Sequence, residues 1–191
     1  RGADPRGERR CPSMRREDLE HIIRAAADIA DDDEIVVIGS QSILGTYPNA
    51  PPDLLVSMEA DVYPKNHPER ADVIDGAIGE LSLFHDTFGY YAQGVGATTA
   101  TLPDGWKDRV VIVRGPGTRQ AAGLCLEPHD LAISKFVAGR EKDLAFVRGL
   151  LSHVLVDPLV LRERLARTHV DDVARRAIEA RIDAMSRQGA T

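Results

Sequence analysis

Apolar positions recur along the chain at two periods, and the change from one to the other marks out its elements. Over residues 17–30, Leu19, Ile22, Ile23, Ala26 and Ile29 return at helical spacing, which predicts a first helix with one apolar stripe for a sheet. Asp31-Asp32-Asp33 ends it; such a run reads as a solvated connector before it reads as a metal site. Residues 35–38 are β-branched and continuous, stop at Gly39-Ser40, and give way to helix-compatible residues to about Gly45. That is the pattern of a buried strand, a tight turn and a helix N-terminus. Pro48, Pro51 and Pro52 then force a loop. Residues 54–63 form a second apolar run, interrupted by Glu59 and Asp61 and closed by Pro64 and Pro68. Residues 69–83 predict a helix weakened by Gly76 and Gly79.

Residues 84–91 collect several of the chain's few aromatics, which either fill a core beneath a loop, the favoured reading, or form a wall that stacks a base. His85, beside Asp86, reads as structural, with a phosphate contact or a base role as the alternative. Residues 98–102 and 109–113 predict an edge hairpin turning at Pro103 to Trp106, and residues 124–126 a last short strand. Pro128 starts a helix with Leu131, Ile133, Phe136 and Val137 on its apolar face and Lys135 on another. Gly139 interrupts it, residues 143–151 continue, and two further helices span about 158–167 and 170–185. The class is therefore α/β (α+β): a small sheet flanked by helices over residues 14–127, then a C-terminal helical bundle over 128–191. Residues 1–13, rich in Arg, Gly and Pro, read as a flexible extension, with the functional start expected near Met14.

Composition narrows the setting. The chain has 191 residues, 43% hydrophobic and 28% charged, which is ordinary for a soluble globular protein. No apolar run approaches a membrane span, and the expected place is the cytoplasm, with no membrane partner. Cys11 and Cys125 lack any zinc-like spacing and read as free thiols. The net charge of −6 argues against a nonspecific nucleic-acid coat, although Lys and Arg gather in residues 1–16, 135–148 and 162–187.

The candidate chemistry lies at the two strands. Alternation along a strand puts Glu59 and Asp61 on one face with Cα atoms roughly 6.5–7 Å apart, a pair able to hold Mg²⁺ or Mn²⁺. Gly39 permits close backbone approach, Ser40 can bond a phosphate oxygen, and the turn aims N–H groups at an anion. A phosphate cradle beside a carboxylate pair is the minimum equipment for moving a nucleotidyl group.

The Gly-Ser after a strand followed by an acid-x-acid strand resembles the nucleotidyltransferase fold of DNA polymerase β and the aminoglycoside nucleotidyltransferases. Residues 126–135, ending at Lys135, and 138–144, containing Arg140 and Asp143, resemble the later lysine and aspartate motifs of AbiE-type toxin nucleotidyltransferases. The similarity spans about residues 17–152. It implies a mixed nucleotidyltransferase sheet, Mg²⁺ (or Mn²⁺) held by Glu59 and Asp61, and an NTP substrate whose phosphates meet Gly39, Ser40, Lys135 and Arg140. Asp61, Lys135 and Asp143 would be the catalytic residues, Asp143 serving as a third metal ligand or as the base that orients the acceptor. Were the helix continuous, Lys135 and Asp143 would lie about 80° apart around it; without the resemblance, both read as surface charges. Two departures stand out: Glu59 occupies a position where the wider fold has Asp, and residues 110–113 carry no third acid. The implied function is a bacterial, toxin-like transfer of a nucleoside monophosphate to an RNA end, tRNA included, or to a protein hydroxyl, with an antitoxin partner. The alternatives are transfer to a small antibiotic-type molecule, and a catalytically silent nucleotide- or protein-binding module.

Overall fold

A strand with no polar residue in its middle is stable only where both faces are covered, and β1 (Glu34–Val37) lies at the centre of the sheet. The computed structural model describes residues 13–188, so the expected extension over residues 1–13 falls, apart from Ser13, outside the described residues, as does Cys11. Five strands run in the order β3-β2-β1-β5-β4, with β2 Glu59–Pro64, β3 Tyr91–Gly94, β4 Val111–Val113 and β5 Ala122–Cys125. β1 is antiparallel to β2 and parallel to β5, β2 is parallel to β3, and β4 is antiparallel to β5. The sheet is therefore mixed, as the family resemblance implies.

One face is closed by α1 (Arg16–Ala30), whose Leu19, Ile22, Ile23, Ala26 and Ala30 are fully buried. The register aligns Val37 with Val62 and Cys125, and Ile35 with Gly123. A Cβ on Gly123 would lie 2.4 Å from Ile23 Cδ1, so this row faces α1. Glu59, Asp61 and Tyr63 alternate with the buried Ala60 and Val62 and point to the opposite face. The α1 face also takes α2 (Ile43–Thr46) and α3 (Ala71–Ile78), while α4 (Leu83–Phe88) follows α3 at the β3 edge. Among the described residues four helices follow β5: α5 Pro128–Ala138, α6 Glu141–Ser152, α7 Pro158–Ala166 and α8 Asp172–Gln188. They pack on one another through Leu150, Leu161, Leu165, Ile178 and Ile182, and one continuous buried cluster runs from Met14 to Met185. Among the described residues no helix is long and apolar enough to cross a membrane.

Two expectations are corrected. Residues 98–102 form no strand; β4 pairs with β5 instead, because Ala122–Cys125 is buried throughout whereas Thr98, Thr99 and Thr101 are exposed and have no apolar row to offer. The edge strand on the other side is β3, of which the sequence reading covers only Tyr91, as the end of the aromatic cluster. The cluster is a partly exposed aromatic patch: Phe84, the exposed Phe88 and the buried Tyr90 pack on His21 of α1, whose Nδ1 lies 2.8 Å from the Tyr90 hydroxyl.

Asp32, in the middle of the Asp triplet, is a structural acceptor. Its carboxylate takes the N–H groups of Glu34, Asn66 and His67 and the Asn66 side-chain amide, tying the start of β1 to the end of β2. Burial raises its carboxyl, but these donors together outweigh burial and hold it below the ordinary value. A depressed folded value means that the stabilisation is complete above the unfolded pKa of about 3.9 and is lost as pH falls through the folded value. Asp32→Asn is therefore expected to be less stable than wild type in urea at pH 7, with the difference shrinking below about pH 4. A pH-independent difference would count against it.

Candidate active site

The period of β2 and its register with β3 set the acids: Glu59 lies opposite Tyr91, and Asp61 opposite Gln93. The Ile38 N–H donates to the Asp61 carbonyl at 3.0 Å, which delivers Gly39 and Ser40 to the same place. Gly39 is extended at φ −80°, so its conformation suits any residue, but a Cβ there would stand 2.2 Å from Asp61 Oδ2. Space, not backbone freedom, requires glycine. The expected helix N-terminus is smaller than its sequence implies: a single 3₁₀ turn, Ser40–Ser42, runs into the four residues of α2. Gln41 is fully buried and donates to the Ser57 carbonyl at 2.7 Å, pinning the loop that precedes β2.

A cavity of about 890 Å³ opens over this face, and Ser40, Glu59, Asp61, Lys135, Arg140 and Asp143 all line it. The sequence-predicted residues are thus gathered in one place, except that Gly39 does not line the cavity and packs against Asp61 instead. Burial, and then the neighbouring charge of Glu59, push the Asp61 carboxyl up to about 6, with Lys135 and Lys142 pulling the other way. The pair is short of positive charge where it most needs it.

Gly139 takes φ +64° and ends α5, so Lys135 and Asp143 do not sit on one continuous helix. The turn brings them face to face instead: Lys135 Nζ lies 3.3 Å from Asp143 Oδ1, and Arg140 Nε donates to Asp143 Oδ2 at 2.6 Å. Burial raises the Asp143 carboxyl, but Arg140 and Lys135 outweigh it and hold the group below its ordinary value. Asp143 and Lys135 are both buried, at 2% and 9% exposure, which removes them from the surface-charge reading. The foot of α5 is fixed separately: Asp130, fully buried, accepts from Arg109 Nε at 2.8 Å and Nη2 at 3.0 Å, with Arg164 Nε 3.2 Å away.

Sequence reasoning missed Tyr91. Its hydroxyl donates to Glu59 Oε2 at 2.9 Å, and burial followed by that bond pushes its phenol well up, keeping the proton on it. The only signal was membership of the aromatic run, since four residues are too few to announce a strand. His85 is structural: its Nδ1 accepts from the Leu81 N–H at 3.1 Å and its ring packs on Tyr91.

Among the described residues no group of three or more His, Cys, Asp or Glu side chains is arranged to hold a metal ion. β4 brings no acid, and Asp143 is committed to Lys135 and Arg140. The donor set that remains, two neighbouring carboxylates of which Asp61 packs against Gly39, fits a hard divalent cation whose other ligands would be phosphate oxygens and water.

A mixed sheet whose central strand ends in Gly-Ser beside an acid-x-acid strand, with a lysine-bearing helical region along the cleft, defines a nucleotidyltransferase-like α+β fold. The chain belongs to the family described as "nucleotidyltransferase of unknown function (DUF6036)", whose model matches residues 17–183. No curated protein and no solved structure matches it.

Proposed function

We propose that this chain is a cytoplasmic, metal-dependent nucleotidyltransferase that moves a nucleoside monophosphate from an NTP to a hydroxyl on RNA, tRNA included, or on a protein. The observation that carries the reading is the meeting of the Glu59–Asp61 pair, the Ser40 turn and Lys135 in one cavity. Mg²⁺ or Mn²⁺ on the two carboxylates would offset charge on the phosphates and on the attacking oxygen. Ser40 and its turn bond the phosphates, and Gly39, by lacking a Cβ, lets the Asp61 carboxylate sit close beside them. Lys135 and Arg140, presented together by Asp143, neutralise the triphosphate. Asp143 then acts chiefly through these two cations; to serve as base or ligand it would first have to release them. In the AbiE-type version of this reading the enzyme arrests growth when expressed alone, and a cognate antitoxin relieves the arrest.

The test is incubation of the protein with each labelled NTP, Mg²⁺ and total cellular RNA, with protein and aminoglycoside acceptors in parallel. Label on RNA or on protein supports the proposal; label on the small molecule alone moves the substrate class, and NTP binding without transfer marks a silent module. Lys135→Ala is expected to weaken NTP binding about 10-fold or more by calorimetry as well as turnover, because a lysine on the triphosphate acts in ground and transition states alike. Undiminished binding would place Lys135 away from the phosphates.

A further inference from the structure

We propose that Tyr91 is a positioning residue that fixes Glu59 at the site, making up for the extra methylene that separates a glutamate from the aspartate expected there. The inference rests on the metal reading above and adds a residue to it. A glutamate has one more rotatable bond than an aspartate, so its carboxylate is less well placed by its strand and loses more freedom on binding. At Glu59 that freedom is already removed. The Tyr91 hydroxyl holds Oε2 at 2.9 Å, and the carboxyl of Asp61 lies beside the same group.

Tyr91 can do this because it is itself held by both its backbone and its ring. It opens β3 directly opposite Glu59 in the parallel ladder, and its N–H donates to the Met58 carbonyl at 3.0 Å. Its ring packs on His85 with centroids 4.6 Å apart. His85 is locked in turn by the Leu81 N–H on Nδ1, and its backbone N–H donates to Ser82 Oγ, the cap of α4, at 3.1 Å. A chain of fixed contacts thus runs from α4 through His85 and Tyr91 to the carboxylate, and hydrogen-bonded partners of this kind set the orientation of metal-binding carboxylates.

Tyr91→Phe removes the hydroxyl while keeping the ring and its packing on His85. Mn²⁺ binding to the full chain, followed by electron paramagnetic resonance without nucleotide, is expected to weaken about 10-fold or more, with Tm nearly unchanged. In a Glu59→Asp background the shorter side chain withdraws from the hydroxyl, so adding Tyr91→Phe there is expected to change Mn²⁺ affinity little. Equal Mn²⁺ affinity in wild type and Tyr91→Phe overturns the inference and leaves the metal reading standing. An equal loss in both backgrounds also overturns it, by making Tyr91 a general support of the β2–β3 edge. Wild-type protein that binds no Mn²⁺ overturns the metal reading and this inference together.

Discussion

Asp61→Asn is expected to abolish nucleotide transfer, by about 10²–10³ in rate or more, while making the protein more stable at neutral pH. The two effects have one cause. Asp61 is packed beside Glu59 and against Gly39, and its carboxyl is pushed from 3.8 up to about 6 by burial and by that neighbour. A folded value above the unfolded one means that the charged form is disfavoured by folding, so the penalty is absent below about pH 4 and complete above about pH 6. Removing the charge should therefore raise stability at pH 8 by about 1–3 kcal/mol, and the gain should fade as pH is lowered toward 4. The same charge is what would attract a divalent cation, so Mg²⁺ should stabilise wild type and not the variant. Urea unfolding at pH 8 and pH 4, with and without Mg²⁺, reads the stability arm; label incorporation reads the other. A variant that is less stable at pH 8 than wild type would mean that Asp61 is a satisfied structural acid, and equal incorporation would remove it from the chemistry.

Asp130→Ala is expected to cost about 3–5 kcal/mol of stability, the largest loss from any single change considered. Its carboxylate is fully buried between Arg109 and Arg164, whose side chains are 20% and 19% exposed. Burial raises the Asp130 carboxyl above its ordinary value even against those two cations, so the charge survives only through them. Truncating it strands two mostly buried guanidinium groups, and in a protein of this size Tm should fall on the order of 10 °C. Arg109 also donates to the Asp104 carbonyl at 3.1 Å, so the same ion cluster ties the segment before β4 to α5, and α7 to both. Arg109→Ala added to Asp130→Ala should cost less than the sum of the two single changes, because the second removes a charge the first has already orphaned. Additive losses, or a loss under about 1 kcal/mol, would show a pair no more coupled than a surface one.

The α5 foot matters to the site because α5 carries Lys135, and here the limits of sequence reading become concrete. Residues 131, 133 and 136 announce α5, but the sequence places Lys135 and Asp143 on adjacent faces only if the helix is continuous. Gly139 reverses the chain, and the two groups form an ion pair that Arg140 completes. A glycine in a helical pattern marks an interruption; the angle between the two pieces is set by what each buries. β3 failed to appear for a similar reason. Tyr91-Ala92-Gln93-Gly94 has no alternation of its own, and it is a strand because β2 offers it a parallel partner.

What the sequence by itself determined was local: the stripe of α1, the buried strand ending in Gly39-Ser40, the shared face of Glu59 and Asp61, the missing acid on β4 and the helical character of the C-terminal region. Each follows from side-chain period, turn chemistry or proline placement, which act within a few residues. Only the tertiary structure decided that β5 lies between β1 and β4, that Asp143 faces Lys135 and Arg140, and that Tyr91 holds Glu59. Those pairings join residues far apart in the chain, and they are selected by which surfaces can be buried together, a condition the whole fold sets and no short stretch contains.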